Sequence, residues 1–138
     1  MEKNIGRIRF VRFLYGLLAT GYLVCVILQV FFAGLGILAD PNGMQLHRVF
    51  ANYFEFASVI MFVLTFFGRI RGSLRWLPLV MFGITALQHI TIQQFSGDLR
   101  AIHVVDALAL FAISMHLAKR SWSWLLLREK DIPSTFTL

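Results

Sequence analysis

Residues 10–38 read FVRFLYGLLATGYLVCVILQVFFAGLGIL. This apolar stretch is longer than the roughly 20 residues an α-helix needs to cross a bilayer. It also exceeds the roughly 7–15 residues of a signal-peptide core, and no small-x-small cleavage site follows it in a polar setting. The stretch therefore reads as a retained membrane span.

The composition supports that reading. The chain has 138 residues, 58% hydrophobic and 14% charged, with a mean hydropathy of +0.72. Soluble domains carry about 25% charged residues, so this chain cannot cover itself in charge. Its hydrophobicity excludes disorder. Cys25 is the only cysteine, which excludes a disulfide framework within the chain. The length allows one domain.

Three further apolar stretches follow, at about 49–67, 76–92 and 102–117, the last two short and carrying polar residues. Turn signals separate them: Asp40-Pro41-Asn42-Gly43, then Gly68 and Gly72, then Ser96-Gly97-Asp98. Connections this short make consecutive helices antiparallel neighbours. The expected fold is an all-α integral membrane four-helix up-down bundle forming a single transmembrane domain over residues 1–138. Residues 118–138 are expected as a cytoplasmic tail in which Pro133 stops any helix.

The basic residues orient the bundle. Lys3, Arg7, Arg9 and Arg12 flank the start of the first span. Arg69, Arg71 and Arg75 join the second and third, and Lys119, Arg120, Arg128 and Lys130 follow the fourth. Eleven of the thirteen thus fall on one side, with Arg48 and Arg100 on the other. The positive-inside rule places both termini in the cytoplasm of a cell whose inner membrane the chain crosses repeatedly. The net charge of +6 is therefore topological: no nucleic acid is expected as a partner, and the lipid bilayer is. Trp76, Trp122 and Trp124 fall where an interfacial aromatic belt belongs.

Ionisable residues inside spans are costly and mark function. They are His47, Glu55, His89, His103, Asp106 and His116. His47 and His103 begin the second and fourth spans at the outer side, and His89 lies near the outer end of the third. His116, thirteen residues after His103 and about 20 Å further along a helix, belongs near the inner face beside Lys119 and Arg120. In a ring of four helices the second and fourth are parallel and diagonal. Two histidines at one level on diagonal helices can clamp a haem through both faces of its iron. Ala51 and Ala107, each four residues beyond its histidine, leave room on the same helix faces. Arg48 and Arg100 stand beside the two histidines, where they can pair with haem propionates or serve as ordinary interface anchors.

Two motifs carry a family resemblance: Leu46-His47-Arg48-Val49-Phe50-Ala51, opening span two, and Ile102-His103-Val104-Val105-Asp106-Ala107, opening span four. With the helix order, they make the chain resemble one four-helix half of haem A synthase. It also looks like small four-span bacterial membrane proteins with no assigned activity. The resemblance implies axial haem ligation by His47 and His103. It does not extend to haem A synthesis. Met44 stands where that enzyme has a glutamate three residues before its first ligand, and its paired loop cysteines have no counterpart, since Cys25 lies inside span one. Binding of haem b is the shared element.

The other polar residues have two readings each. Asp106, one turn deeper than His103, can accept a hydrogen bond, move a proton or tune the cofactor by its charge. Glu55, about 12 Å deeper than His47, is either part of a proton relay or a protonated carboxyl bonded to a backbone carbonyl or Gln29. A second haem held by Met61 and His116 is chemically allowed, but Met in an apolar helix is usually plain packing.

Three functions compete. The first is a small b-type cytochrome for electron transfer, redox sensing or haem handling, with a quinone or redox protein as partner. The second is a membrane metalloenzyme with a tri-histidine site of His47, His89 and His103. The third is a cofactor-free assembly factor or small subunit, in which Gly16, Gly21, Gly34 and Gly36 of span one permit close helix approach, including in a homodimer.

Overall fold

A computed structural model describes residues 2–94 and 96–126, with side chains for 5–94 and 96–123. The described chain is all-α. Its helices are α1 (Glu2–Leu38), α2 (Asn42–Phe54), α3 (Ala57–Phe67), α4 (Ser73–Gln94) and α5 (Ile102–Leu126), with a short 3-10 turn at Gly97–Ala101 before α5. Three stretches are long and apolar enough to cross a membrane: 5–38 on α1, 42–67 across α2 and α3, and 97–123 across the 3-10 turn and α5. The third expected span, α4, has the length but falls short of that apolarity. Pro78, Thr85, Gln88, His89 and Thr91 dilute it.

The up-down order is visible in the contacts. Gly36 meets Gly43 at the first turn, and Arg12 near the start of α1 reaches the carbonyl of Gly68 beyond α3 (2.9 Å). Phe62 and Phe56 face Trp76 and Phe82 in turn along α4. Trp122 on α5 donates its indole N–H to Thr20 on α1 (2.8 Å). α1 packs against α2, α3 and α5, while α4 packs against α3 and α5. The α2–α3 unit and α5 are thus diagonal in the ring. One end carries the start of α1, the 68–72 turn and the end of α5. We call it proximal, and the end with the 39–41 and 96–101 connections distal.

Several boundaries differ from expectation. The second span is a helix from Asn42, not from about 49, and it breaks at Glu55–Phe56. There the Ser58 hydroxyl donates to the Glu55 carbonyl (2.8 Å), a side-chain insertion into the backbone ladder of the kind that bends helices. The helix of the fourth span does not end with the expected apolar stretch at about 117. α5 continues to Leu126 because Leu117, Ala118 and Ser121 are buried and Trp122 is bonded to α1. Pro133, Arg128 and Lys130 lie outside the described residues, as does the side chain of Trp124.

The interior is built of Tyr15, Ala19, Tyr22, Val26, Met61, Met81, Leu110 and Leu117. Small hydroxyl residues are buried among them: Ser58, Thr65, Thr85, Thr91, Ser114 and Ser121. Ser58 donates to the Glu55 carbonyl at the break and the other five to carbonyls of their own helices, so close helix packing leaves none of these hydroxyls unpaired. α4 contains one gap in its ladder. Pro78 has no N–H to offer the carbonyl of Leu74 four residues before it. The Tyr15 hydroxyl donates to that carbonyl instead.

Candidate functional site

The candidate site lies at the distal end. The turn into α2 is tight: the Asp40 side chain accepts the N–H of Asn42 (2.9 Å), and Gly36 and Gly43 bring the two helix backbones into contact. That crossing lays α2 along α1. It brings His47, on the second turn of α2, against the carbonyl of Gln29 on α1, with Nδ1 2.9 Å from the oxygen. His103 is the second residue of α5, and its Nδ1 sits 3.3 Å from the carbonyl of Gln88 on α4.

The two rings meet across the bundle. Their centres are 6.2 Å apart and their planes cross at 68°. A carbonyl oxygen only accepts hydrogen bonds, so in the neutral form of each ring Nδ1 carries the proton and Nε2 keeps its lone pair. A backbone carbonyl on one ring nitrogen is the arrangement that fixes metal-ligating histidines. Both rings are half-buried, as are Ala51 and Ala107 one turn further along each helix. Arg48 and Arg100 lie on exposed positions at the same end.

Two buried side-chain oxygens among the described residues have no hydrogen-bond partner, Gln29 Oε1 and Asp106 Oδ2. Both belong to residues at this site. Gln29 supplies the carbonyl that holds His47, and Asp106 is one turn beyond His103. Native interiors rarely leave such atoms unpaired, and those that remain call for a functional account.

The other expected residues are placed differently. His89 turns its Nδ1 to the carbonyl of Thr85 in its own helix (3.0 Å), with Glu55 Oε2 3.9 Å away. Glu55 therefore faces His89, while Gln29 engages His47. The tri-histidine metal site is not formed: among the described residues no three His, Cys, Asp or Glu side chains gather as a ligand group. His89 is turned to its own helix and to Glu55. A haem iron needs only two protein ligands, so that finding leaves the His47–His103 pair untouched. Met61 is fully buried in the core and His116 is exposed on α5, which lends a second haem no support. Reasoning from sequence missed the carbonyls of Gln29 and Gln88 and the role of Thr85. A backbone carbonyl has no side-chain signature, and Gln29, a polar residue in an apolar span, was the one available signal.

A family of unknown function, DUF6220, matches residues 29–94. The match includes Gln29, His47, Glu55 and His89 and stops before α5 and His103. No curated protein and no solved structure matches the chain.

Proposed function

We propose that this chain is a small b-type membrane cytochrome of four spans, holding one haem b between His47 and His103 at its outer face. Both ends lie in the cytoplasm, in the inner membrane of the cell. The observation that carries the reading is the histidine pair. Two imidazoles ligating one metal from opposite sides, at about 2 Å each, have ring centres roughly 6 Å apart, and the rings here are 6.2 Å apart. Each has its Nδ1 on a main-chain carbonyl, so each keeps Nε2 for the iron. The unpaired oxygens of Gln29 and Asp106 support a site whose partners extend beyond the polypeptide.

Bound there, the group would supply one-electron redox chemistry. His47 and His103 would hold the iron, and Ala51 and Ala107 would leave space beside the macrocycle. Arg48 and Arg100, exposed at the same end, would pair with its propionates. Asp106, close to His103, would tune the ligand by charge or hydrogen bonding. Such a protein serves electron transfer, redox sensing or haem handling. The orientation rests on the charge pattern. Arg7, Arg9, Arg12, Arg69, Arg71, Arg75, Lys119 and Arg120 gather at the proximal end, against Arg48 and Arg100 at the distal end.

The test is an absorption spectrum of detergent-purified protein, oxidised and dithionite-reduced. The wild type is expected to give a six-coordinate low-spin haem. His47→Ala and His103→Ala should each lose the haem or turn it high-spin. A colourless protein from cells supplied with ample haem would overturn the cytochrome reading in favour of a cofactor-free subunit.

A further inference from the structure

We propose that the cleft between α2 and α4 binds a lipid-soluble quinol, with its hydroxyl-bearing ring held at Glu55 and His89. This deepens the cytochrome reading by naming the class of redox partner, and it rests on that reading only for the partner's role.

The cleft has a volume of about 400 Å³ and is lined by Asn52, Glu55, Phe56, Phe82, Ala86 and His89. It exists because α2 packs along α1, while α4 packs along α3 and α5. Glu55 and Phe56, at the break after α2, line it. The cleft opens sideways: Phe56, which lines it, is 56% exposed. On a stretch long and apolar enough to cross a membrane, a side opening faces lipid. Its occupant must therefore arrive through the bilayer.

The chemistry of the lining narrows the class. Phe56 and Phe82, ring centres 6.3 Å apart, make apolar walls suited to a flat ring. The polar groups sit together: Glu55 Oε2 and His89 Nδ1 are 3.9 Å apart, with both side chains partly exposed. That distance is too long for a hydrogen bond, so the two do not satisfy each other. His89 Nδ1 donates to the Thr85 carbonyl at 3.0 Å, which leaves Nε2 as an acceptor. An acceptor beside a carboxyl suits a ligand that carries an O–H group. An acyl chain would use neither, and ionisable groups inside a span are too costly to retain for packing alone. A ring with hydroxyls on an apolar tail uses walls, polar pair and side opening together.

The experiment titrates the full-length protein in detergent with a hydroxyquinoline bearing a heptyl tail, a quinol mimic whose fluorescence falls on binding. Saturable binding is expected for wild type. His89→Ala should weaken it at least about tenfold, and Ala86→Phe, which fills the cleft while keeping both polar groups, should abolish it. A second measurement on wild type alone displaces the probe with a short-chain quinol and with a fatty acid of similar length. Displacement by the quinol alone supports the proposal. Equal displacement by both, no saturable binding, or variants that fold and bind like wild type would each overturn it. The readout needs no haem. A colourless protein that binds the probe would sink the cytochrome reading and leave the cleft, whereas a haem protein blind to the probe would do the reverse.

Discussion

A carbonyl oxygen cannot donate, and this selects the neutral tautomer of the histidines at the distal end. His47, His89 and His103 each point Nδ1 at a main-chain carbonyl, those of Gln29, Thr85 and Gln88. All three are expected to be Nδ1–H tautomers when neutral. Nitrogen NMR of histidine-labelled protein prepared without haem checks this: an Nε2–H signal from His47 or His103 would remove the poise for iron. A second residue-level expectation concerns Tyr15 and Pro78. Tyr15→Phe leaves the Leu74 carbonyl without a partner, because Pro78 has no N–H to give it. The loss is expected at about 1–3 kcal/mol, read by chemical denaturation in mixed micelles. Pro78→Ala restores the missing N–H and should recover much of that loss in the double variant. Equal losses for Tyr15→Phe in both backgrounds would refute the coupling. His47 and His103 were legible in the sequence because depth along a span follows from residue count. Their carbonyl anchors were not, because every residue has a carbonyl, and only the docking of two helices selects which one an imidazole meets.

At the level of elements, the glycines of α1 and α2 separate into two kinds. A methyl on Gly36 or Gly43 would run into the backbone of the other helix, whereas Gly21 and Gly34 have nothing within 4 Å of an added Cβ. Gly36→Ala and Gly43→Ala are each expected to cost about 1–3 kcal/mol by overpacking. Gly34→Ala should be neutral or stabilising by up to about 1 kcal/mol, since alanine favours the helix. Denaturation midpoints for the set check the contrast, and equal effects at Gly34 and Gly36 would contradict the crossing. Because Gly36 positions α2 over α1, its alanine variant should also weaken the His47–Gln29 contact. The sequence pointed to close helix approach in span one but not to its partner. That partner lies seven residues further on in the same chain, across a turn. Helix existence was legible throughout from long apolar runs and turn residues. The ends were not: hydropathy fades at 117, yet α5 runs on to Leu126, because what continues it is the burial of Leu117, Ala118 and Ser121 and the bond of Trp122 to α1 rather than apolarity. The break at Glu55–Phe56 was equally hidden. No proline or glycine marks it, only a serine three residues on.

For the whole molecule the open quantity is how many times the chain crosses the membrane, and α4 decides it. Its 22 residues span about 33 Å at 1.5 Å per residue, enough for a hydrocarbon core of about 30 Å. Its polar content is largely turned inward: Thr85 and Thr91 are buried, and Gln88 and His89 are half-buried. Polar side chains that face the bundle carry little of the cost they would meet in lipid. The start of α1 also lies beside the end of α5, where Phe13 meets Trp122 edge to face (5.9 Å). Two antiparallel end helices with their outer ends together require an even number of crossings. With α1, α2–α3 and α5 each long and apolar enough to cross, the proposed crossing of α4 would make that number even. On that proposed topology the basic residues concentrated at that same end would put both termini in the cytoplasm. Alkaline phosphatase, active only outside the cytoplasm, is therefore expected to be inactive when fused after residue 71 or residue 126 and active when fused after residue 41 or residue 98. A fluorescent protein at the same four positions should give the inverse pattern. Were α4 to lie along the surface, the fusion after residue 98 would report the cytoplasm and the one after residue 126 the outside. That outcome would also separate His103 from His47 across the bilayer and dissolve the site, so the topology assay tests the haem reading without a spectrum.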